Sequence, residues 1–132
     1  PEVFERRYVY DYTEPLDVNR MRKAAEYLCG THDFKSFCGN KKMKKSTVRT
    51  ISLIQIKELP GEIQIYYTGN GFLQNMVRIL TGTLIEIGDG RRTPEDVSEI
   101  LEAKNRERAG YTAPACGLTL LEVIYGKMVC NK

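Results

Sequence analysis

The chain has 132 residues, 42% hydrophobic and 28% charged, with a formal net charge of +3, which suits one globular domain with a real core and does not predict disorder. No apolar run approaches the roughly 20 residues that span a bilayer, and the first ten residues carry charges where a secretory signal needs an apolar block, so a soluble cytoplasmic protein is expected. The four cysteines, Cys29, Cys38, Cys116 and Cys130, form no close pair and are accompanied by one histidine, His32, so neither a zinc site nor a disulfide framework is expected and the thiols are read as reduced.

Pro1 to Tyr12 mixes Phe4, Tyr8, Val9, Tyr10 and Tyr12 with charges, without caps or helical period, and reads as part of an extended lead-in covering residues 1–16. The absence of an initiating Met suggests a chain cut from something longer. Asp17 follows Pro15 in the place of an N-cap, and Val18, Met21, Ala24, Ala25 and Leu28 recur at helical spacing before Gly30, the expected C′ residue. The run His32 to Gly39 reads as a loop pinned by Phe34 and Phe37, with His32 a local hydrogen-bonding residue. Lys41, Lys42, Lys44 and Lys45 then crowd into five residues, with Arg49 shortly after. Such a loop is either solvated or in contact with phosphates.

Thr47 to Lys57 is rich in β-branched residues and alternates, Leu59-Pro60-Gly61-Glu62 supplies a turn, and Ile63, Ile65 and Tyr67 alternate with polar neighbours, predicting two antiparallel strands. A Gly69-Asn70-Gly71 turn leads into Phe72 to Ile87, where two apolar rows, Phe72, Met76, Ile79, Thr83, Ile87 and Leu73, Val77, Leu80, Leu84, predict a helix buried on both flanks. Its remaining stripe, Gln74, Asn75, Arg78, Thr81 and Gly82, is predicted to share one polar face. Arg78 cannot shed its charge, so it needs a carboxylate, a cleft, or a path along its own stem to water.

Thr93-Pro94-Glu95-Asp96 reads as N-cap, N1 proline and acidic N3 residue opening a helix with Val97, Ile100 and Leu101 on its buried side and an end near Lys104. Asn105 to Gly117 is predicted to be a loop. Leu118 to Tyr125, apolar on both faces, predicts a strand in the middle of a sheet, ahead of a tail at 126–132. The fold class expected is α+β, an antiparallel-rich sheet with helices packed on it.

Five segments then match one family together: Gly69-Asn70-Gly71-Phe72-Leu73-Gln74-Asn75-Met76-Val77-Arg78, His32 to Cys38, Thr47 to Ile51, Ala103-Lys104-Asn105-Arg106, and Thr112-Ala113-Pro114-Ala115-Cys116-Gly117-Leu118. In order and spacing they resemble the C-terminal half of the TruA family of tRNA pseudouridine synthases, over roughly Tyr8 to Tyr125, so that residues 17–125 are read as a TruA-like C-terminal domain. The resemblance implies an enzyme that isomerises uridines in the anticodon stem-loop of tRNA without metal or organic cofactor. It implies a catalytic aspartate and a Tyr stacked on uracil, both assigned to an N-terminal half that this chain lacks, and an Arg on the central helix, matched by Arg78, that pairs with the aspartate. By the same resemblance Leu118 is expected in the apolar floor under the base, and Phe72 and Met76 in the cleft wall. Lys41, Lys42, Lys44, Lys45 and Arg49 are expected on the tRNA backbone. Cys116 stands where the family commonly has His and is assigned no chemistry. The expected partners are tRNA, the N-terminal half and a second copy in a homodimer, with no membrane, and the chain alone is expected to be inactive. A non-catalytic RNA-binding module, or a protein-interaction domain, is the alternative.

Overall fold

The computed structural model describes residues 2–11 and 13–125, so Tyr12 and the tail with Cys130 lie outside the described residues. The elements in order are β1 (Glu2–Asp11), α1 (Val18–Leu28), β2 (Gly30–Asp33), β3 (Val48–Leu59), β4 (Glu62–Gly69), α2 (Met76–Gly88), α3 (Asp96–Ala103) and β5 (Leu118–Tyr125), with short 3₁₀ turns at Lys35–Phe37, Arg106–Arg108 and Ala115–Gly117. The strands form one sheet in the order β2-β3-β4-β1-β5, and each pairing is antiparallel. The α+β class expected from the sequence is what the chain adopts. No helix among the described residues is long and apolar enough to cross a membrane.

Local chemistry accounts for the helix ends. Asp17 caps α1 by accepting from the Arg20 amide at 3.1 Å, and the apolar row Val18, Met21, Ala24, Ala25, Leu28 is buried. The Asp96 carboxylate accepts the Thr93 amide at 2.9 Å, but this closes the turn ahead of α3: the helix itself starts at Asp96 with Glu95 in the N-cap place and no side-chain cap, two residues later than the Thr93 N-cap expected from the sequence. The helix closes on Lys104, held left-handed at φ +48°. In β4, Ile63, Ile65 and Tyr67 are fully buried while Glu62, Gln64 and Tyr66 are half-buried, so one face of the sheet carries the core and the helices. Tyr67 is bolted to α2 by a 2.7 Å hydrogen bond between its hydroxyl and that of Thr81.

Three further expectations are corrected. The strand at Leu118 lies at a sheet edge, paired with β1 among the described residues; the inner place is taken by the lead-in, which runs as β1 between β4 and β5. Alternation hides that strand, because Arg6 stands on the same face as Tyr8 and Tyr10, and Val3 and Val9 on the face of Glu5 and Arg7. The loop expected from His32 begins instead inside β2, where Gly30 to Asp33 pair with Ile51 to Val48; Phe34 and Phe37 are nevertheless fully buried pins. Finally, α2 starts at Met76, four residues later than the apolar rows suggest, because Asn75 is left-handed at φ +60° and breaks the helix.

Candidate functional site

The break at Asn75 changes what the polar stripe does. Gln74 and Asn75 precede the helix, Thr81 is consumed by Tyr67, and Gly82 is a contact surface: a Cβ there would sit 1.8 Å from the Tyr111 carbonyl oxygen. Of the three members inside the helix, Arg78 is the one left facing open space. It is half-buried on the wall of a cavity of about 160 Å³.

The segment after α3 holds Arg78 in place. Gly110 lies flat on α2, its amide donating to the Thr83 hydroxyl at 2.8 Å while that hydroxyl donates to Ile79 O at 2.9 Å. Gly110 and Gly82 permit the approach, since a Cβ on Gly110 would fall 2.7 Å from Thr83 Cα. Ala113 is thereby set against Arg78: its amide donates to Arg78 O at 3.0 Å, and its carbonyl accepts from Arg78 Nε at 2.7 Å. Arg78 Nη1 donates to Asn75 Oδ1 at 3.2 Å. Both side-chain partners are neutral. Among the described residues no carboxylate lies within ion-pair distance of this guanidinium, so its charge is aimed but uncompensated.

Phe72, Met76 and Leu118 line the same cavity; the structure therefore gathers four of the sequence-derived site residues around one hollow. It adds Arg6, which was not singled out from the sequence. Arg6 stands on the helix-side face of β1, opposite Tyr67, with its guanidinium 5.5 Å from the Phe72 ring centre and 5.7 Å from that of Phe4. Burial lowers its pKa from the usual arginine value, without an acidic partner among the described residues to offset that desolvation. Two cations thus share a hollow that, among the described residues, holds no carboxylate. Alternating charge and aromatics in Arg6-Arg7-Tyr8 gave no periodic signal that could have found Arg6.

Tyr8 adjoins the hollow, directly across from Leu118 in the β1–β5 pair. It is 3% exposed, and its hydroxyl donates to Pro114 O at 2.6 Å. Burial, helped by the neighbouring Cys116 and Tyr111, pushes its pKa up to about 12, with the Arg78 charge pulling the other way. Gly117 allows this closure, because a Cβ there would meet Tyr8 Cζ at 2.6 Å. His32 stays local, its Nε2 within 2.9 Å of Cys29 O. Cys116 is exposed.

The basic residues do not gather with Arg78. Lys41 and Lys45 line a separate, larger cavity of about 570 Å³. Lys42 and Lys44 are exposed outside it, and Arg49 turns back to donate from Nη1 to Ser46 O and Val48 O, both at 2.8 Å. Size alone would choose the larger cavity as the reactive site. The small one is preferred because it brings a fixed, unpaired guanidinium against an apolar wall, the environment in which a charge acts most strongly.

A family model described as tRNA pseudouridine synthase matches residues 24–126. Similar proteins include tRNA pseudouridine synthase A 1 of Bacillus cereus, 52% identical over 94% of this chain and 50% of its own length. Those of Brevibacillus brevis and Bacillus subtilis, each named tRNA pseudouridine synthase A, are both 49% identical, over 94% and 95% of this chain respectively and 51% of their own length. The chain spans about half the length of the curated relatives it matches. With that model covering residues 24–126, which include the Phe72, Met76, Arg78 and Leu118 sides of the hollow, and with relatives about half identical over 94–95% of its length, the chain belongs to the tRNA pseudouridine synthase family.

Proposed function

We propose that this chain is the C-terminal half of a TruA-type enzyme that isomerises uridine to pseudouridine in the anticodon stem-loop of tRNA, and that Arg78 pairs with a catalytic aspartate delivered by the other half. In that isomerisation the N1–C1′ bond breaks, a C5–C1′ bond forms, and a proton leaves C5 while N1 gains one, so no oxidant or reductant is required. The observation that carries the reading is the Arg78 guanidinium, fixed by Asn75 and Ala113 yet without a carboxylate in ion-pair distance among the described residues. An opposite charge within about 4 to 6 Å holds a carboxylate ionised and gives it a direction. Phe72, Met76 and Leu118 would form the dry wall beside the flipped base. Among the described residues Phe72 is the aromatic ring on that wall, and Tyr8, across from Leu118 with its hydroxyl on Pro114 O, backs the wall from behind. Lys41, Lys42, Lys44, Lys45 and Arg49 would contact the tRNA backbone. The enzyme is read as cytoplasmic and homodimeric, and this half as inactive alone.

The test joins the missing half to this chain in cis and measures pseudouridine formation on unmodified tRNA. Arg78→Ala is expected to lower kcat/KM by about a hundredfold or more, as when one member of a buried ion pair is removed. Arg78→Lys should recover little, since an ammonium cannot reproduce the planar fork. Turnover within a few-fold of the parent in Arg78→Ala would reject the assignment.

A further inference from the structure

The larger cavity is a built cleft. One wall carries Lys35, Lys41 and Lys45; the other, at the end of α3, carries Lys104 and Arg106. Ser36, fully buried, rivets the walls together: its hydroxyl donates to Ile100 O at 2.6 Å and accepts from the Asn105 amide at 2.9 Å. Among the described residues five cations therefore face one lining carboxylate, Asp33, whose Oδ1 already accepts from the Thr47 hydroxyl at 2.5 Å and the Lys35 amide at 3.1 Å. None of the five has a carboxylate within ion-pair distance among the described residues.

Lys104 supplies a second, independent observation. It ends α3 in the left-handed region at φ +48°, where a glycine is favoured and an ordinary side chain costs about 1 kcal/mol. The helix-end charge could be served equally by a lysine inside the last turn, without strain. A strained residue that places a cation on a cleft wall points to a use for the cation. Among the described residues the lining contains no aromatic side chain, so they offer phosphate neutralisation and no platform on which bases could stack.

We propose that this cleft seats the sugar-phosphate backbone of the tRNA away from the reacting base, with Lys104 and Arg106 as its second wall; this rests on the reading of the chain as part of a tRNA-modifying enzyme. The root of the cleft is tied to the reactive hollow, because the Gly39 amide donates to Gln74 O at 2.8 Å, one residue from the Asn75 that orients Arg78. RNA held in the cleft would therefore be held in register with Arg78.

Lys104→Gly is the decisive variant, since it removes the charge and relieves the backbone together. The test measures binding of an unmodified tRNA transcript to this chain across a salt series, beside a thermal melt. Lys104→Gly is expected to melt at or above the parent temperature, yet to weaken tRNA binding about three- to tenfold and to lower the slope of log K against log salt by about 0.7 to 0.9. Lys57→Gln, on β3 outside the cleft, should change neither. If the parent binds tRNA and Lys104→Gly binds it with the same affinity and slope, the seat is wrong and the tRNA reading stands. Loss of equal size in Lys57→Gln would show a diffuse charge effect and also overturn the seat. If the parent binds no tRNA at low salt, both fall. If it binds polyglutamate as tightly as tRNA, and Lys104→Gly abolishes that, the cleft belongs to an acidic protein instead.

Discussion

At the scale of single residues, Asn75 does two jobs that can be separated. It sits in the left-handed region, at φ +60°, immediately before α2, and spends its side-chain oxygen on Arg78 rather than on capping the helix. Asn75→Gly keeps the backbone conformation and deletes only the acceptor. In the complete enzyme it is expected to leave the melting temperature near that of the parent while lowering kcat about tenfold, the worth of one charge-assisted hydrogen bond, with little change in KM. Asn75→Ala should lose a similar amount of activity and, in addition, about 1 kcal/mol of stability from the strained backbone. Equal kcat in the parent and in Asn75→Gly would mean that Ala113 O alone aims the guanidinium.

At the scale of elements, the site depends on a loop pressed onto a helix. The 105–113 segment has no regular structure beyond one 3₁₀ turn, yet it is tied down along its length. Arg92 donates to Glu86 Oε1 at 2.6 Å and to the carbonyls of Arg108 and Ala109 at 2.9 and 3.2 Å, and Gly110 donates to Thr83. The close approach at Gly82 is the tightest of these contacts. Gly82→Ala would place a methyl on the Tyr111 carbonyl, and backbone cannot swing aside as a flexible side chain does. The expected result is a loss of about 3 kcal/mol in denaturant unfolding, accompanied in the complete enzyme by lower activity, because Ala113 would withdraw from Arg78. A Gly82→Ala chain as stable as the parent would show that the segment can lift away from α2 without penalty.

At the scale of the whole molecule, buried phenols link stability to alkaline pH. The unfolded Tyr8 ionises near 10, whereas burial holds the folded hydroxyl protonated up to about 12. Between those values the unfolded chain releases a proton that the folded chain keeps, so stability falls as pH rises. The contribution is fully present below about pH 10 and is lost as pH climbs toward 12. Tyr8→Phe removes both this linkage and the hydrogen bond to Pro114, so it should be less stable than the parent near neutral pH. The gap in urea midpoint between the two should narrow from about pH 9 to about pH 11. Tyr67, fully buried, is shifted in the same direction chiefly by burial, with Tyr8 only the last of its causes, so most of its contribution is common to both chains. A gap that stays constant over that range would place the Tyr8 hydroxyl in solvent.

Local order along the chain was readable wherever one residue sufficed to state it. Asp17 and the apolar rows of α1 and α2 act through bonds and burial within a turn or two of their own positions, so the α1 cap, the periods and the α+β class follow from sequence. Arg78 was conspicuous for the same reason: a fixed charge between apolar rows is a local contradiction that demands a partner. Tertiary structure alone decided which strands neighbour which, since β1 and β5 meet across more than a hundred residues and a strand with charges on both faces shows no alternation. It alone placed Arg6 beside Arg78, and parted Lys41 and Lys45 from Lys42 and Lys44. Only the folded chain shows Thr81 and Gly82 swallowed by packing while Arg78 stays open, because periodicity tells which residues share a helix face and says nothing of what another segment lays across it.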